Sequence, residues 1–354
     1  MEQQNFNQNN TMQNNRQVYE GQGNQQEINR FIQNQPGFQN QPNNFMQGYP
    51  AEGLPEVQTK KIWNQTLLAL FIMAVAVIAI QILSNLIVAN FFPKVGRSDW
   101  YVWALTAFAM ICVALPLFYF ITRSIPNSPE GDIVKLKPSQ FFKYFLVCAA
   151  VMYITNFFSI LLLMVIAMIK GESLNSLNPL AELFNGKTMA YSILYAAIAA
   201  PIVEELIFRK LLLSKLRRYG DIPAILITAF AFGLFHMNLA QFFYAVALGM
   251  ILAYITIRTN TVRYSILLHI MINSIGTAVA PLAIKANILL SMLLVMWIFG
   301  AIAAGIVILV LDFRRIRLYK APYPLTKRSD YFLNTGTILY TVLCLIMIIL
   351  ATVS

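Results

Sequence analysis

The chain has 354 residues, 58% of them hydrophobic and only 12% charged, with mean hydropathy +0.61. A soluble domain carries roughly twice that share of charge, so a soluble globular fold is excluded. The net charge of +11 would suit nucleic acid, but the 26 Lys and Arg are scattered between apolar runs, which argues against nucleic acid as a partner.

Residues 1–58 form a segment of their own. Asn and Gln supply 25 of the first fifty positions, without apolar periodicity. Such a stretch buries too little apolar surface to offset its ordering entropy, which predicts a disordered cytoplasmic tail. The first apolar run begins near Leu67, too late for a cleavable signal peptide, so the first span is expected to act as the anchor.

Residues 59–354 are expected to form a transmembrane domain. Nine apolar stretches follow one another at 67–92, 101–122, 144–169, 188–208, 222–238, 241–257, 264–284, 288–312 and 335–352. About 20 residues suffice for a helix to cross the hydrocarbon core. The expected fold class is therefore all-α, a polytopic transmembrane helical bundle of eight to nine spans. Polar loops are expected at 123–143, 170–187 and 313–334. Cys112, Cys148 and Cys344 fall inside spans at unrelated spacing, so neither a disulfide framework nor a thiolate metal site is expected. With the N-terminus in the cytoplasm, 19 of the interspan Lys and Arg lie inside and 5 outside. The positive-inside rule then predicts a multi-pass protein of the cell membrane with an external C-terminus. Its basic loops would meet anionic head groups of the bilayer.

Ionisable groups within spans are few. Glu204 and Glu205 are the only carboxylates well inside one, and both histidines, His236 and His269, are intramembrane. Such residues are costly in hydrocarbon and face a cavity or one another. Glu205 and Arg209 stand one helical turn apart, acid first, the order that favours an ion pair. Glu204 is rotated about 100° from Glu205, so one carboxylate can be neutralised while the other faces a cavity. His269 and Asn273 share one face of their helix, and Phe232 precedes His236 by one turn. Helix lengths put these groups at one depth, from the midplane to the cytoplasmic half, only if the fourth helix runs on through "RKLLLSKL" and is offset inward, and that offset is expected.

The strings "EELIFR", "FGLFH" and "HIMIN" match, in order, the EExxxR, FxxxH and HxxxN motifs of the CPBP family of CAAX prenyl proteases, Ras-converting endopeptidases and bacteriocin-processing or self-immunity membrane proteins. The resemblance covers roughly residues 140–290. Within it, Asn260 stands where Gly is usual, and Asn is the next-best residue for a left-handed turn. The resemblance implies an intramembrane endopeptidase: Glu204 acts on the hydrolytic water, His236 helps to hold it, and His269 and Asn273 serve the oxyanion. Glu205 and Arg209 would be a structural ion pair. No Ser or Cys is positioned by the motifs, so direct attack by water is expected, with no cofactor. Zinc stays open as an alternative, because two His and a Glu also form a zinc ligand set, although the H-E-x-x-H spacing is absent. The expected partner is a membrane-associated peptide or protein substrate. A catalytically silent scaffold on the same fold and a proton-coupled transporter are the competing functions; the first would have lost motif residues, the second should show paired repeats.

Overall fold

A computed structural model describes residues 56–128, 131–173, 189–319 and 328–353. The Asn/Gln-rich segment lies outside them as far as residue 55, and helix begins at Glu56 rather than after residue 58. Most of the 170–187 loop and the middle of the 313–334 loop also lie outside the described residues.

Each of the nine apolar stretches is a helix. They are α1 (Glu56–Phe91), α2 (Tyr101–Thr122), α3 (Pro138–Lys170), α4 (Met189–Tyr219), α5 (Asp221–Phe235), α6 (Leu239–Thr259), α7 (Arg263–Ala286), α8 (Ile288–Asp312) and α9 (Thr335–Val353). No strand occurs among the described residues. Eight of these helices are long and apolar enough to cross a membrane. The exception is α5. Its 15 residues reach about 22 Å, short of a hydrocarbon core of about 30 Å. It stops because Met237 turns left-handed, at φ 52°, and Asn238 caps the next helix by accepting from the Gln241 N–H at 2.9 Å. As the motif spacing required, α4 continues unbroken through "RKLLLSKL" to Tyr219.

Three helices contain a π turn directly ahead of a proline. These are residues 109–114 before Pro116, 193–199 before Pro201 and 275–279 before Pro281. A proline inside a helix gives no N–H and crowds the carbonyl four residues back, and the wider turn relieves both.

The helices alternate in direction and pack into two large core groups and a small one, Leu163 and Ala167 against Ala240. One gathers α1, α2, α4, α5, α6 and α9, with Trp63, Phe118, Phe208 and Phe232 fully buried. The second joins α3, α6, α7 and α8 around Cys148, Leu252 and Leu268. The α5–α6 hairpin is close because Gly233 faces Val246 and Gly249 faces Ala229. A Cβ on Gly233 would overlap the Val246 side chain and stand 3.0 Å from the Phe242 carbonyl. Gly233→Ala should therefore lower stability by about 1–3 kcal/mol, the usual cost of overpacking. Thermal unfolding in detergent checks this, and an unchanged transition would mean the hairpin can spread without cost.

One end of the bundle is rich in bases and tightly stapled. Asp221 is buried there beneath Arg258 and Arg217 and accepts from the Tyr319 N–H at 3.0 Å. Lys215 binds the Ile125 carbonyl, and Arg218 the carbonyls of Pro126 and Asn127. Asn260 does adopt the left-handed conformation, at φ 51°. Its side chain also accepts from Arg217 Nη1 at 2.7 Å and donates to the Asp132 carbonyl at 2.9 Å. Glycine could not make that bridge.

Candidate active site

Helices α4, α5 and α7 bring the motif residues together. On α4, Glu204 and Glu205 end a short α-helical stretch, Ala200–Glu205, held between two π turns. Glu205 and Arg209 form the expected ion pair, Oε1 to Nη1 3.1 Å, with both side chains fully buried. The guanidinium lies 4.4 Å from the Phe232 ring centroid and reaches the Gly249 carbonyl at 3.4 Å. A cation over an aromatic face gains from the ring quadrupole, and more so away from water.

Helical spacing did not reveal that Glu205 has a second partner. His269 Nδ1 lies 3.0 Å from the same Oε1. A carboxylate paired with arginine is ionised and can only accept, so Nδ1 carries the hydrogen. Nε2 then turns toward Glu204 Oε2, at 3.6 Å.

Of the two glutamates, only Glu204 reaches open space. Its side chain is 13% exposed and lines a cavity of about 840 Å³ together with His236, Asn273, Tyr195, Gln241 and Tyr244. His269 sits behind Glu204, off the cavity wall. Asn273 is on the wall and donates from Nδ2 to the Ala196 carbonyl at 2.9 Å. Pro201 has no N–H to offer the π turn that contains Ala196, so Asn273 supplies a hydrogen there and ties α7 to α4. The amide keeps a second N–H.

His236 stands at the very end of α5 rather than within a span. Asn238 Nδ2 donates to its carbonyl at 2.7 Å, which fixes the turn. Phe232 meets both imidazoles edge-on, with centroids 4.9 Å from His236 and 5.6 Å from His269. The first Phe of "FGLFH", Phe232, thus orders two histidines and an arginine. Tyr195, Gln241 and Tyr244 had no sequence signal beyond being polar in apolar helices, although the "NLAQ" cap could have marked Gln241. Among the described residues no group of three His, Cys, Asp or Glu is placed to hold an ion.

The same helices carry a family signature. Residues 186–275 match the family model described as Rce1-like, type II CAAX prenyl endopeptidase. This segment is similar to the type II CAAX prenyl endopeptidases. It holds "EELIFR", "FGLFH" and "HIMIN" entire and is narrower than the 140–290 that the motifs suggested. Helices α1, α2, α3, α8 and α9 surround this CAAX-protease-like segment without belonging to it. Neither a curated protein nor a solved structure matches the chain.

Proposed function

We propose that the chain is an intramembrane endopeptidase in which Glu204 activates the hydrolytic water. The observation that carries this is the division of the adjacent carboxylates: Glu205 is committed to Arg209 and His269, while Glu204 faces the cavity. Water between Glu204 and His236 gives its proton to Glu204 as its oxygen bonds to the carbonyl carbon. The carbonyl π electrons move to oxygen, where the free N–H of Asn273 donates a hydrogen bond, while His269, behind Glu204, positions that carboxylate rather than reaching the oxyanion. Collapse breaks the C–N bond, and Glu204 returns the proton to the leaving amine. No Ser or Cys enters these steps, and no cofactor is needed.

The substrate is a membrane-associated peptide or protein segment. The loop charges set the cytoplasmic N-terminus and external C-terminus of this reading, in the cell membrane. Purified protein given a quenched fluorogenic peptide library tests the proposal. Turnover should survive chelation and should not rise with added zinc. Loss on chelation, restored at one zinc per chain, would move Glu204 from base to metal ligand. No turnover under any condition would favour a binding scaffold.

A further inference from the structure

The cavity and the bases occupy opposite ends of the bundle. The cavity is lined by stretches 77–85 of α1, 102–110 of α2, 152–163 of α3, 195–204 of α4, 240–244 of α6 and 272–277 of α7. Since chain direction alternates, the second halves of α1 and α3 and the first halves of α2, α4 and α6 lie at the same end, and α7 lines the cavity from its middle. Lys170 Nζ, 3.0 Å from the Thr352 carbonyl, confirms that α3 and α9 finish there together. At the other end Lys60 pairs with Asp330, Lys143 with Asp312 and Arg258 with Asp221, while Trp63, Tyr219 and Tyr331 fill the interior. The basic end is closed by packing. The cavity instead has exposed rim residues at Asn85 and Val102.

The wall has a distinct chemistry. Glu204 is the only charged side chain on it among the described residues. Gln81, Asn85 and Asn156, all within apolar helices, face the cavity and make no side-chain hydrogen bond among the described residues. Amides within a membrane span are costly unless they meet water or a polar ligand, and each offers both a donor and an acceptor, as a peptide bond does.

We propose that this cavity admits its substrate from the non-cytoplasmic face, and that the substrate is an extended, uncharged polypeptide stretch there, such as the outer juxtamembrane segment of an anchored protein. Its backbone groups pair with Gln81, Asn85 and Asn156 and lead the scissile bond down to Glu204, about 22 Å along α4 from Met189. The side follows from the positive-inside rule; the word substrate rests on the protease reading above.

The full-length chain carrying Cys112→Ala removes the exposed native thiol. On it, Asn85→Cys and Thr106→Cys report the cavity and Arg315→Cys the basic end. In intact cells a membrane-impermeant maleimide should label both cavity cysteines, and should label Arg315→Cys only after disruption. The reverse pattern overturns the sidedness, whatever the activity. An impermeant quenched peptide of uncharged residues should be cleaved by intact cells with wild type and not with Glu204→Gln. Asn156→Leu should raise KM about three- to tenfold at unchanged kcat, the loss of one hydrogen bond. Cleavage confined to inverted vesicles overturns the proposed face while sparing the protease reading. An unchanged KM in Asn156→Leu overturns the amide pairing. Cleavage on neither side sinks the protease reading and the substrate with it, and the labelling still decides which way the cavity faces.

Discussion

Glu204→Gln should abolish peptide hydrolysis while fold and peptide binding persist. The amide has the shape of the carboxylate and remains on the cavity wall, but it cannot accept a proton from water. General-base catalysis contributes typically about 10²–10⁴-fold, and a mutant that also cannot protonate the leaving amine should lose at least that. The fold should hold, because Glu204 carries none of the buried hydrogen bonds of the cluster; His269 Nε2 is 3.6 Å away. The neighbouring Glu205→Gln should behave differently, with a loss of folded protein. Turnover of a fluorogenic peptide and its protection of the chain against thermal unfolding measure the two properties separately. Full activity in Glu204→Gln would hand the reaction to another group.

Arg209→Ala should be the most destabilising single change in the site. It strands Glu205, whose side chain is fully buried, without its cation. Breaking a buried pair from one side costs about 3–5 kcal/mol. The guanidinium also leaves the face of Phe232, loosening the ring that meets both histidines. His269→Ala leaves Glu205 its arginine and removes one hydrogen bond, a loss of about 1–3 kcal/mol. Chemical unfolding in detergent should rank Arg209→Ala well below His269→Ala. His269→Ala should instead show its main effect on kcat. Equal stability of both variants would mean that water reaches the pair.

How far these residues could be read beforehand depended on the kind of signal. Long apolar runs give away helices, because the bilayer demands about 20 residues of hydrocarbon, and every run became one. The Glu205–Arg209 pair was legible because both partners lie on one helix, where spacing alone fixes the face. The His269–Glu205 bond was not, since periodicity says nothing about which helix faces which. Nor was the early end of α5: Met237 is not a residue that announces a left-handed turn, and the cap signal of Asn238 with Gln241 was the only hint. Three of the four π turns were readable in principle, each ending two residues ahead of Pro116, Pro201 or Pro281, whereas Leu206–Leu213 has no proline to announce it. The cavity was out of reach of the sequence. Three of its amides, Gln81, Asn85 and Asn156, come from α1 and α3, outside the CAAX-protease-like segment, and meet Glu204 only through packing.

The most direct measurement of the central claim is the mass of what the purified chain makes from a peptide. Wild type should convert an uncharged peptide into two fragments whose masses sum to that of the substrate plus one water, and Glu204→Gln should make neither. A wild-type chain that binds the peptide and returns it whole would contradict the claim.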